Sequence, residues 1–356
     1  MKKSRYIENI KFNKKVNAYF DTKTLFNNQN KNINLNNQNK IFTENIKRKK
    51  STININLTNY NKKKYLKKDS IYLKPIDDLY EYLREKKLNK YFKYFLIHGS
   101  LADSTYIKGW SDIDTFVVLK NSILKSPKKL FNLKKKDKFL YKFFFKICPL
   151  QHHGLILFTE YDLLNYSNNY LPLEALKKNI NLLDNKKKLK IKILDDDNEF
   201  LFHDIKNRLQ LLKNAKLNGL YKHHPLKGKF LRFPLKKNRK EMYQLFCHLG
   251  YINTLPAYYF SCTGRNINKK DSFELFNKNF KNKKIIQLIK KSEKIRFLWG
   301  EKHFNKKNIL LIPEWVTTIL GKNYLNECIQ IFQCIIKEIK FYNEKKRLYY
   351  CNQKYF

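Results

Sequence analysis

The triplet His98-Gly99-Ser100, followed after eleven residues by Asp112-Ile113-Asp114 and then Thr115-Phe116-Val117-Val118-Leu119, decides how this chain is read. Residues 94–97 form a short apolar run ending on the triplet, and 115–119 form a second run rich in β-branched residues, so the spacing predicts two strands. Residues i and i+2 of an extended chain project to one face, which sets Asp112 and Asp114 side by side and turns Ile113 to the buried face. Two carboxylates that close repel each other unless a cation lies between them. A hard divalent ion such as Mg²⁺ is held through one or two carboxylates together with substrate phosphates, a role open to this pair. The glycine after a buried strand permits a tight turn and close approach of a phosphate, and the Ser100 hydroxyl with the amides that follow can donate to phosphate oxygens.

The flanking sequence completes a small α+β unit. Leu79, Tyr82, Leu83 and Leu88 fall at helical spacing within 75–90, a basic helix is expected within 127–146, and 154–158 reads as a third strand. This defines a sheet-bearing unit over 71–165, a small mixed sheet with flanking helices. Residues 1–70 alternate Lys and Asn with isolated aliphatics and read as a low-complexity basic extension. From 166 to 356 the texture is helical, with apolar stripes such as Leu325, Ile329, Phe332, Ile336 and Ile339, as expected for a mainly helical second domain.

Gly-Ser, a spacer of this length, and Asp-hydrophobic-Asp opening a hydrophobic strand together resemble the signature of the nucleotidyltransferase superfamily. That superfamily has the polymerase-beta-like fold and includes kanamycin nucleotidyltransferase-like and minimal nucleotidyltransferases. The resemblance covers the 71–165 unit and implies that Gly99 and Ser100 bind the nucleotide phosphates while Asp112 and Asp114 bind metal. It implies a Mg²⁺-dependent transferase moving a nucleoside monophosphate from an NTP, ATP first among them, to a hydroxyl or similar acceptor. The family pattern also asks for a third carboxylate on a later strand, and the segment expected to carry it, Gln151-His152-His153-Gly154-Leu155-Ile156-Leu157-Phe158, holds no acid. His152 or His153 can stand in, because a neutral imidazole accepts a proton or binds a metal, and His153 is taken as the candidate third catalytic group. Glu160 or Asp162, reaching back from just past the strand, are the alternatives. Without such a group, the expectation becomes a non-catalytic nucleotide- or RNA-binding protein that retains the fold.

The net charge of +45, from 75 Lys and Arg against 30 Asp and Glu, makes RNA a possible partner without requiring it, since richness in Lys, Asn, Ile, Phe and Tyr also follows from AT-rich coding. Cys148, Cys247, Cys262, Cys328, Cys334 and Cys351 form no C-x-x-C pair and no zinc-ligand spacing, so reduced packed thiols are expected. No apolar run approaches the length of a bilayer span, and a soluble cytoplasmic protein is expected. Asp103 reads as a helix-capping or surface acid, His98 as packing, and 195–197 as an acidic helix start. The segment 254–272, with Arg265 and Lys269-Lys270, reads as a lysine-rich loop, the rarer alternative being that it lines an acceptor or base pocket with Arg265 on an anionic group. Arg296 and His303 are expected to lie on a helix broken between them by Gly300.

Overall fold

In the central sheet, strand pairing puts the two ends of the decisive sequence next to each other. The computed structural model describes residues 50–61, 70–107, 109–147, 150–151, 154–167, 171–183, 187–194, 199–222, 230–265, 267–280, 282–303 and 309–353. His152, His153 and the acidic island 195–197 lie outside the described residues, as do residues 1–49 of the basic extension. In chain order the strands and helices are β1 (Lys50–Asn56), α1 (Ser70–Glu85), β2 (Phe92–His98), β3 (Asp114–Leu119), α2 (Asn121–Leu124), α3 (Pro127–Ile147), β4 (Leu157–Thr159), β5 (Ile180–Asn181) and β6 (Lys188–Leu194). They continue as α4 (Glu199–Asn218), β7 (Leu220–Lys222), β8 (Phe230–Arg232), α5 (Met242–Cys262), α6 (Lys269–Asn279), α7 (Lys283–His303), α8 (Glu314–Leu320) and α9 (Tyr324–Gln353).

The central sheet has the order β4-β3-β2-β5 and is mixed. β2 runs antiparallel to β3 with His98 opposite Asp114, whereas β4 runs parallel to β3 with Leu157 opposite Val117. Strand alternation sorts the side chains into two layers. Phe95, Ile97, Val117 and Leu119 pack with Ile76, Leu79 and Leu83 of α1 and with Leu133, Leu140 and Phe144 of α3. On the other face Tyr94, Leu96, Phe116, Val118 and Phe158 meet Ile55, Leu189, Ile191 and Ile193. Those last four belong to an antiparallel ribbon of β1 and β6, a second small sheet covering the first.

The sheet region is wider than the 71–165 span expected for it. β1 lies within the stretch read as low-complexity, and β5 and β6 lie beyond residue 165. Ile53 and Ile55 alternate with polar residues and pair across to Ile191 and Leu189, a strand signal diluted by the surrounding Lys/Asn texture. From Glu199 onward the chain is mainly helical, so the whole is α+β with small mixed sheets and a helical C-terminal region.

The helices share one large core, and Trp110 from the sheet half is part of it. Its ring meets Phe246 of α5 at 4.9 Å and Trp299 of α7 at 5.8 Å. Gly300 does not break α7, which continues to His303. A mid-helix glycine costs about 1 kcal/mol relative to alanine, and the fully buried Trp299 beside it anchors the helix. The 254–272 segment is not one loop either: 254–262 continues α5, and α6 begins at Lys269. The helical core encloses His248, 1% exposed, whose pKa is pushed down to about 3 by burial and then by nearby Arg208. No described helix is long and apolar enough to cross a membrane.

Candidate functional site

Gly99 leaves β2 with φ +66 and opens a short 3₁₀ turn, Gly99–Leu101. A side chain at this position would conflict with the neighbouring strand. A Cβ on Gly99 would stand 2.3 Å from Asp114 Oδ2, 3.2 Å from its Cγ and 3.3 Å from its Cβ. The carboxylate of Asp114 therefore lies directly against the Gly99 backbone, as the opposition of His98 and Asp114 in the ladder requires. The turn is closed by the amides of Ala102 and Asp103, which both donate to Gly99 O at 3.0 Å.

β3 begins at Asp114, so Asp112 and Ile113 precede the regular strand. The expected alternation persists there: Ile113 is fully buried in the layer containing α1 and α3, while Asp112 and Asp114 are half-buried. Gln151 holds this entry in place. Its Oε1 accepts from Ile113 N at 2.9 Å and its Nε2 donates to Ile113 O at 3.4 Å, so a fully buried amide occupies the place of a neighbouring strand. The backbone between the two aspartates is thereby satisfied on both sides.

The loop joining the turn to the acidic pair is held by the helical region. Arg296 Nη2 donates to Thr105 O at 2.8 Å, and Trp299 Nε1 donates to Gly109 O at 2.9 Å. Inside the loop, Asp103 Oδ1 accepts from Thr105 N at 3.0 Å and from Thr105 Oγ1 at 2.5 Å, a local turn bond with no helix following rather than a helix cap. Ser111 Oγ accepts from Ile107 N at 2.9 Å. These bonds fix the connection that sets the turn and the aspartates in register.

Charged groups of the helical region lie within electrostatic range of the aspartates. Lys269, the first residue of α6, has its pKa lowered by burial and by Arg296, against the opposing pull of Asp114, Asp112 and Asp103. By surface area Lys269 is an exposed residue. Burial lowers the pKa of Arg296 in the same way, opposed by Asp103, Glu293 and Asp112. Asp112 also helps push the Cys247 thiol of α5 upward, after burial itself. The loop between the strand ends thus contacts α5 through Phe246 and α7 through Arg296 and Trp299, with Lys269 of α6 within electrostatic range.

Asp112 and Asp114, both half-buried at the entry to β3, are oxygen donors of the kind a hard divalent cation takes, and the Asp114 carboxylate lies against the Gly99 turn. No group of three or more His, Cys, Asp or Glu able to hold a metal occurs among the described residues. Glu160 and Asp162 do not supply a third acid. Glu160 pairs with Lys93 and accepts from Asn121 N at 3.0 Å, and Asp162 accepts from Thr159 N at 2.6 Å. Both are engaged beside Leu119 and Thr159, at the end of the parallel β3–β4 pair opposite to Asp114.

Gln151 and Trp299 hold the strand entry and the loop, roles the sequence left unmarked, whereas Lys269 stood among the cations of the 254–272 segment without being singled out. Only Lys269 had a readable signal, an Asn268 N-cap whose Oδ1 accepts from Asp271 N at 2.9 Å and starts a helix there. Arg265, set on an exposed turn, borders a concavity of about 340 Å³ with Tyr259, Phe276, Phe280 and Tyr342. Searches against family models, curated proteins and solved structures returned no match to this chain.

Proposed function

We propose that this chain is a Mg²⁺-dependent nucleotidyltransferase that moves a nucleoside monophosphate from an NTP, ATP first among the donors to test, to a hydroxyl-bearing acceptor. The observation that carries the reading is the seating of the Asp114 carboxylate on the backbone of the Gly99 turn, with Asp112 and Lys269 in electrostatic reach. Phosphoryl-type transfer needs positioning and charge neutralisation more than covalent help from the protein. In this reading Gly99 and Ser100 hold the phosphates against the turn, and Lys269 presents a point charge to their oxygens from the helical side. Arg296 and Trp299 keep the 101–113 loop from drifting, so that turn and carboxylates stay in register. Mg²⁺ held by Asp112 and Asp114 would neutralise charge on the transferring phosphate.

The test is pyrophosphate release from ATP and the other NTPs with Mg²⁺ and a supplied set of hydroxyl-bearing acceptors (sugars, nucleosides and RNA ends) to take the nucleoside monophosphate, comparing the natural chain with the Asp112→Asn, Asp114→Asn double variant. The reading expects release in the first and loss of it in the second; equal release from both would end it. A second reading, a non-catalytic nucleotide- or RNA-binding protein with this fold, is favoured by the neutral Gln151 amide in the position of the strand next to the pair. It expects nucleotide binding by calorimetry with no Mg²⁺-dependent turnover.

A further inference from the structure

The ribbon of β1 and β6 has one apolar face, already accounted for by its packing on the central sheet, and one outward face. In the ladder Lys188 stands opposite Asn56, Lys190 opposite Asn54 and Lys192 opposite Thr52. All six are exposed, whereas Leu189, Ile191 and Ile55, which alternate with them, are buried. Same-face residues on a strand are about 7 Å apart. The outward face is therefore a file of three lysines, each opposite an amide- or hydroxyl-bearing residue, with no acidic and no aromatic residue among the six.

We infer that this face is a docking strip for the sugar-phosphate backbone of single-stranded nucleic acid. Charge complementarity selects a polyanion, and the repeat is of the order of the distance between successive phosphates along an extended strand. The paired Asn and Thr side chains add hydrogen-bond donors for phosphate or sugar oxygens. With no ring to stack a base and no donor pattern that varies along the file, recognition is of the backbone and indifferent to sequence. A lipid surface fits less well, because nothing apolar projects from the file to enter the acyl boundary. The inference does not depend on the transferase reading, and its test contains neither NTP nor Mg²⁺, so either can fail alone.

The test is fluorescence anisotropy of a fluorescein-labelled uridine homopolymer, titrated with the full chain over a series of monovalent salt concentrations. Each phosphate contact on a single strand contributes about 0.7 to the slope of log K against log salt, so three contacts contribute about 2. The Lys188→Gln, Lys190→Gln, Lys192→Gln variant is expected to flatten the slope by that amount. The corresponding triple arginine variant is expected to restore it. A control removes the same charge from α7, by Lys283→Gln, Lys284→Gln and Lys290→Gln at exposed positions, and is expected to leave the slope unchanged. Equal slopes in the ribbon and α7 variants would overturn the inference, as would binding to anionic phosphatidylserine vesicles that needs the ribbon lysines when homopolymer binding does not.

Discussion

Replacing Gly99 by alanine tests the geometry on which the site depends. Two costs arise, and they can be read separately. The first is conformational: a residue with a Cβ at φ +66 costs about 1–2 kcal/mol relative to glycine. The second is steric, since the new Cβ would stand 2.3 Å from Asp114 Oδ2 and ordinary contact begins near 3.4 Å. The carboxylate must therefore retreat by about 1 Å, and a displacement of that size at a reacting centre can cost about 100-fold in rate. Gly99→Ala is thus expected to lower unfolding free energy by about 1–2 kcal/mol in urea titrations followed by tryptophan fluorescence. Pyrophosphate release is expected to fall by about 100-fold or more. Ser100→Ala, which adds no atoms, is the companion variant and should leave the urea midpoint nearly unchanged. An unaltered midpoint in Gly99→Ala would refute the packing argument, and full activity in a destabilised variant would detach this turn from the chemistry.

Three further outcomes follow from the bonds around the site and the helical core. Gln151→Leu keeps much of the volume but leaves the Ile113 N–H and C=O without their buried partner, a loss of about 1–3 kcal/mol for each group, measurable by chemical denaturation. Trp299→Phe removes the N–H that reaches Gly109 O, and about 1–3 kcal/mol should be lost; protease cleavage within the 101–113 loop should rise relative to the natural chain. His248 is held neutral in the fold, with its pKa near 3 against about 6.5 when unfolded, so between those values the unfolded state binds more protons. Stability should fall as pH drops through that window, by up to about 1.4 kcal/mol per pH unit, and His248→Phe should flatten the dependence in urea midpoints taken from pH 7 to pH 4.

Much of the local structure was legible because it depends on side-chain periodicity. The alternation around Thr115–Leu119 and the helical stripes of α4, α7 and α9 reflect burial of one face, which any short window of sequence records. β1 was not legible: two isoleucines in a Lys/Asn background look like noise until Leu189 and Ile191 are known to lie opposite them. Gly300 misled for a related reason, since its propensity cost is small beside the packing of Trp299, and packing is a tertiary quantity.

Of the candidate site, the sequence alone determined Gly99, Ser100, Asp112 and Asp114, because a turn glycine and an i, i+2 carboxylate pair are local chemistry and need only the chain's own geometry. The tertiary structure alone decided what surrounds them. Lys269 and Arg296 come from more than 150 residues further along the chain, and no local pattern marks a lysine among so many as the one within electrostatic range of two carboxylates. It likewise decided that Glu160 and Asp162 are engaged at the far end of the strand pair, since the direction of a parallel pairing is fixed by long-range contacts. Strand pairing and helix packing bring together groups that sequence distance keeps apart, and the electrostatics of the site exist only once they have done so.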